Sequence, residues 1–209
     1  MLLRNMLPER KVENFTMTLW TPRHLRHALL FFCALPFLGM IALVGLPAHA
    51  DDNSEHIRKL NGGYYLLHQL SDDESQLPLL LTVKHAPAEI GSFADEISKT
   101  GKETVSALDR LQESNPAIRL DQNPLPAIER ETRDSIKDDK QHQLLFGTKD
   151  SEFVRCVLVS QIEASTYAKN LASVLADQET SPDRSRALRQ ISARWDGIRN
   201  KTYRILRNY

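Results

Sequence analysis

From Phe153 to Leu175 the chain is apolar around more than half of a helix's circumference. At about 100° per residue, Phe153, Val157, Ala164, Ala168, Leu171 and Leu175 fall on one line. Val154, Leu158 and Ala172 occupy one flank, Tyr167 and Val174 the other, and Val159 and Ile162 the far side. A surface helix needs a narrower stripe, so this pattern predicts the central helix of an all-α bundle, covered by the helices around it.

The other segments supply the cover. Asn53 or Ser54 caps a first helix whose apolar positions are Ile57, Leu60, Tyr64 and Leu67. Gly62 and Gly63 in its middle predict either a bend or the close approach of a neighbour, since each costs about 1 kcal/mol against alanine inside a helix. Ser71-Asp72-Asp73-Glu74 reads as a capping box that starts a second helix into Leu77 to Val83. Pro78 requires that this helix begin near Ser75 or be kinked. Pro87 and Glu89 open a longer helix in which Ile90, Ala94, Ile97, Gly101, Thr104, Leu108 and Leu111 recur at helical spacing, widened by Phe93 and Val105. Gln112 to Pro126 holds three prolines and two asparagines. It is a connection long enough to cross the bundle, so that the helices on either side of it run in the same direction. Ala127 to Phe146 is strongly charged, with Ile128, Ile136, Leu144 and Leu145 as apolar anchors, and is expected outermost. Gly147 ends it and Asp150 caps the central helix. Ser181-Pro182 caps the last helix, with Leu188, Ile191, Trp195, Ile198, Thr202, Ile205 and Tyr209 facing the core. No strand-like alternation competes with these helices.

The charge balance changes the picture at the N-terminus. Lys+Arg and Asp+Glu number 27 each over 209 residues, but the first fifty residues hold five bases and only two acids. The remainder is mildly acidic, which argues against nucleic acid or an anionic membrane as a partner. Ala28 to Leu46 is an apolar run preceded by Arg23 and Arg26 and followed by Ala48-His49-Ala50. That is the layout of a cleaved secretory signal, residues 1–50, ahead of one bundle domain, residues 51–209. The alternative is an uncleaved anchor, with membrane contact in either case through this segment alone. A periplasmic or secreted location follows. Cys33 leaves with the signal, so Cys156 has no intramolecular disulfide partner.

From about Leu66 to Leu206 the layout resembles the exported ferritin-like domain-of-unknown-function family of bacteria. The resemblance is carried by His85-Ala86-Pro87-Ala88-Glu89-Ile90 running to Phe93-Ala94, by His142-Gln143-Leu144-Leu145, and by Gly147 to Phe153. It implies a ferritin-like four-helix bundle with an extra or kinked N-terminal helix, and no particular activity. Lys99, Gly101 and Gln161 stand where that family often has histidine.

Candidate chemistry narrows accordingly. A ferritin-like di-iron site needs Glu-x-x-His on two helices, and this chain has none; the nearest is Asp139-x-x-His142 on the most polar helix, where a solvated face explains it. Even with Glu74, Glu89, Asp139, His142 and Glu163 all turned inward, one histidine would have a neighbouring acid. The four histidines after residue 50, His56, His68, His85 and His142, are far apart in sequence. One cysteine excludes structural zinc, and no C-x-x-C-H, nucleophile elbow or phosphate loop is present. Gln161 lies in the apolar face of the central helix, as a ligand or as a satisfied core residue that fixes register. Cys156 reads as an inert buried thiol rather than a redox group. No catalytic, cofactor-binding or metal residue is assigned, and no cofactor is expected. The expected role is non-enzymatic: an exported protein that binds an unknown envelope protein, self-associates or acts in a stress response. An atypical metal-binding protein or oxidoreductase and a periplasmic chaperone are the alternatives.

Overall fold

The structure, a computed structural model, describes residues 51–84, 86–147 and 150–209. The expected signal peptide with Cys33, and His85, lie outside the described residues, as do the side chains of Asn53, Leu145 and Asp150. The described chain is an all-helical bundle: α1 (Asp51–Ser75), α2 (Leu77–Val83), α3 (Ala88–Ser114), α4 (Ala127–His142), a π-helical turn (Gln143–Gly147), α5 (Asp150–Gln178) and α6 (Pro182–Leu206).

Cross-helix contacts set the directions. Ser98 on α3 meets Ser75 on α1 while Asp109 meets His68, so α1 and α3 are antiparallel. Tyr64 meets Glu179 and Glu74 approaches Gln161, so α1 and α5 are antiparallel too. Lys201 pairs with Glu96 and Arg194 with Glu103, which makes α6 antiparallel to α3, and α5 and α6 form a hairpin. The four long helices thus pack in a ring in which each is antiparallel to its neighbours, and α3 and α5 point the same way.

The element that makes this possible is not the proline-rich linker. Asn115 to Pro126 stays at one end of the bundle. Asn61 donates from Nδ2 to the Ala117 carbonyl (3.0 Å) and accepts the Arg119 N–H at Oδ1 (3.1 Å), Ile118 is buried, and Pro124 lies against Gly62. The crossing is made by α4, which runs from that end back past α5, with Arg133 near Tyr167 and Lys140 against Glu163, and past Asp73, to the start of α5. The expectation that the linker itself crosses, leaving the helices on either side parallel, is therefore corrected: α4 runs opposite to α3. Tethering the linker to Asn61 removes its freedom to span, and a helix carries the chain back.

Three further expectations change, and one left open between two outcomes is decided. Ser71 is inside α1 and fully buried, donating from Oγ to the Leu67 carbonyl (2.7 Å), so the capping box does not form. The helix breaks instead at Gln76, with Pro78 in the first turn of α2, because proline has no N–H for the Glu74 carbonyl. Helix α5 is a member of the ring rather than a wholly covered centre: Val159 and Val174 are half exposed, since each helix of a four-membered ring keeps an outward face. Ile128 is no anchor; at 79 % exposure in the first turn of the outermost helix it faces solvent. Gly62 and Gly63 produce close approach within one continuous helix. A Cβ on Gly63 would stand 2.6 Å from Leu175 Cδ2.

The stripes on α3 and α6 face the core as their periodicity requires. Ile90, Phe93, Ala94, Ile97, Gly101, Thr104 and Leu108 are buried on α3, and Leu188, Ile191, Trp195, Ile198, Thr202 and Ile205 on α6. Pro182 sits at the start of α6, with the Ser181 hydroxyl accepting from the Arg184 N–H.

Candidate functional site

Two features stand apart from ordinary core packing: a buried carboxyl in the middle of the bundle and a cleft beside α5. The first is prepared by the break after α1. Without a donor from Pro78 the last carbonyls of α1 lack their usual partners, and Ser98 on α3 donates to the Ser75 carbonyl (2.5 Å). One turn along α3, Gly101 allows the Ser71 carbonyl so close that a Cβ there would lie 2.4 Å from it. These contacts pin the last turn of α1 against α3 and hold Glu74 in the core.

Glu74 and Gln161 are both fully buried. They approach each other closely enough for Gln161 to oppose the shift of the carboxyl, yet neither side chain completes a hydrogen bond of normal geometry. Burial dominates and pushes the Glu74 carboxyl up to about 8, so it is neutral over most of the ordinary pH range. Its neighbour Asp73 turns toward α4. Burial raises it to about 9, Lys137 opposes the rise, and the adjoining carboxyls of Glu74 and Asp72 reinforce it.

The remaining residues named from the sequence do not join Glu74. Glu89, Asp139, His142 and Glu163 are exposed. Glu163 pairs with Lys140 at 3.4 Å, and His142 lies beside the Phe146 ring. His68 Nε2 sits 3.1 Å from Asp109 Oδ1. Among the described residues no three or more His, Cys, Asp or Glu side chains converge in a manner that could hold a metal ion. Gln161 is buried as its helical position predicts, but without the partners expected of a satisfied core residue. Cys156 is half-buried rather than enclosed.

Cys156 opens onto the second feature, a cleft of about 280 Å³ between α5 and the end of α4 with its π-helical turn. Leu144, Cys156 and Val159 form its apolar wall, and Lys140, Arg155 and Glu163 bear on its mouth. Arg155 gives its Nε–H to the Tyr209 backbone oxygen. The π-helical turn shifts the helical phase by the extra residue in its hydrogen-bonded ring, which brings Leu144 inward while Phe146 stays exposed.

The capping-box reading of Ser71 to Glu74 hides the burial of Glu74; the signal that finds it is that Leu60, Tyr64, Leu67, Ser71 and Glu74 continue one helical stripe by steps of four and three. The cleft was not legible, because it depends on where α4 ends relative to α5. No protein-family model matches the chain, and no curated protein or solved structure matches it.

Proposed function

We propose that residues 51–209 are the mature part of an exported ferritin-like four-helix bundle, with α4 as its crossover and α2 as the extra N-terminal helix. Its role is binding rather than catalysis, in the cell envelope or in a stress response. The observation that carries this reading is the environment of Glu74. The one inward-facing acid among the sequence candidates meets an amide, Gln161, in place of a second carboxylate or a histidine. A neutral carboxyl beside an amide is a poor ligand pair for a divalent cation. The ferritin-like assignment is supported by the parallel α3 and α5 and their helical crossover.

The reading predicts that exported protein begins at Asp51 and that, purified, it holds no iron or manganese in stoichiometric amount. N-terminal sequencing and metal analysis check both. Metal that survives dialysis and is lost in a Glu74→Ala variant would establish the second reading, an atypical metal-binding protein. What favours that second reading is the set of unpartnered polar atoms on Glu74 and Gln161. The chaperone alternative finds no support in a bundle whose large apolar residues are turned mostly into a closed core.

A further inference from the structure

We infer that α4 is a strap that leaves and rejoins the bundle while the other helices stay folded, uncovering the seam between α1 and α5 that holds Asp73 and Tyr167. The reason is how α4 is attached, and it is independent of the binding role proposed above. All of residues 127–140 are described, and none of them is buried. The side chains nearest the bundle, Glu129, Arg133, Ile136, Lys137 and Lys140, share one helical face, and Ile136 is the only apolar one among them. By contrast, α3 turns Ile90, Phe93, Ala94, Ile97 and Leu108 into the core. A helix with so little apolar area against its neighbours gains little from staying docked, and such elements open locally at a fraction of the cost of global unfolding.

The polar contacts of α4 do not make up the difference. Lys140 meets Glu163 at 3.4 Å with both side chains partly exposed, where water and salt weaken the pair. Arg133 spends its Nε–H on Glu129 Oε1 (2.7 Å), within α4 itself rather than on the bundle. The two ends differ. Ile128 faces solvent at the linker end, whereas Leu144 is buried in the π-helical turn, so α4 swings from its N-terminal end about the anchored turn.

Beneath the strap, Asp73 Oδ1 is sealed from solvent and accepts no hydrogen bond. Among the described residues, the charged groups that bear on Asp73 are Asp72 and Glu74 from α1 and Lys137 from α4, and Asp134 and Asp138 face Lys137 in turn. The titratable groups of α5 under α4 are Glu163 and Tyr167, met by Lys140 and Arg133. With α4 in place, burial raises Asp73 to about 9. Solvated by the departure of α4, it returns toward its ordinary 3.8 and releases a proton. The closed state therefore binds more protons than the open one, and the opening equilibrium grows with pH, by about tenfold per pH unit at most for one proton. Lys137, lowered by burial, moves the opposite way in the alkaline range, so the test stays between about pH 5 and pH 7.

The experiment is amide hydrogen–deuterium exchange, read by mass spectrometry on peptides of the protein in the form its host accumulates, with each rate divided by its unfolded-chain value. Off the bundle, a helix as short as α4 is marginal in water, so its amides exchange when it undocks. Peptides within 131–140 are expected to open at least about a hundredfold more readily than those from the buried stretches of α3 and α6, and at least about tenfold more readily at pH 7 than at pH 5. Ile136→Ala should raise α4 opening about tenfold and leave α3 and α6 unchanged. Asp73→Asn should flatten the pH response with α4 still opening locally. Protection of α4 equal to that of α3, or an Ile136→Ala variant that loosens α3 and α6 as much as α4, overturns the strap. A pH response absent from the wild-type protein, or unaltered in Asp73→Asn, overturns the placing of Asp73 beneath it.

Discussion

Glu179 and Glu74 are buried carboxyls near opposite ends of the same α1 and α5 interface, and the fold treats them in opposite ways. Glu179, with a side chain only 2 % exposed, accepts from the Tyr64 hydroxyl at 2.6 Å, from Arg184 Nη2 at 2.9 Å and from the Thr180 N–H at 3.2 Å. Burial alone would raise this carboxyl, but the hydrogen bonds from Arg184 and Tyr64 hold it below the usual carboxylate range, and it stays ionised. The same contact, after burial, holds the Tyr64 hydroxyl well above its ordinary range, so it remains a donor. Glu74 has no such donors and is neutral. Burial therefore does not decide the charge of a carboxyl; the count of donors aimed at it does. The Glu179 end is a finished clasp joining α1, α5 and α6. The Glu74 level is held in place by backbone contacts around it rather than by its own hydrogen bonds.

The largest effect expected in testing this contrast comes from Gly101. Adding a Cβ in Gly101→Ala meets the Ser71 carbonyl and must separate α1 from α3. The loss should be about 3 kcal/mol despite alanine's better helix propensity, measured by urea unfolding. If stability were unchanged, the close approach would not be what holds Glu74 in the core. Next is Arg184→Met, which leaves Glu179 without its cation. A loss of about 2 kcal/mol at pH 7 is expected, shrinking in acid as Glu179 becomes protonated.

The pH dependence of Glu74 has the opposite sign. Its folded pKa is raised, so between its ordinary value of 4.5 and about 8 the folded state binds more protons than the unfolded state. Stability from this group falls as pH rises through that window and levels off above it. Glu74→Gln removes the titration and keeps the shape. The variant should gain a few kcal/mol at pH 8, with little change at pH 4, and unfolding at the two pH values reads the difference. Glu179 contributes stability above the unfolded value that is lost as pH falls through its lowered folded pKa. Acid therefore relieves the Glu74 level while it loosens the Glu179 clasp. The smallest effect serves as the control: at Gly91 and Gly197 a Cβ meets nothing within 4 Å, so alanine at either should add about 0.5–1 kcal/mol without touching either carboxyl.

Periodicity alone determined the all-helical class, the core faces of α3 and α6, the start of α6 at Ser181-Pro182 and the stripe that carries Tyr64 and Leu67 inward. These are consequences of local chemistry: a repeat near 3.6 residues forces a helix with one buried face, and proline at a helix start or interior acts through its own missing N–H. Tertiary structure alone decided that Asn61 ties the linker down and leaves the crossing to α4, and that α5 is one side of a ring instead of its centre. It also decided that Glu179 meets donors from α1 and α6 while Glu74 meets only an amide. Each of these depends on which residues from distant segments arrive at the same place, and a pattern read along one helix states which face is buried without naming what lies opposite. The cleft beside Cys156 belongs to the same class, for its wall exists only where the end of α4 and the start of α5 lie side by side.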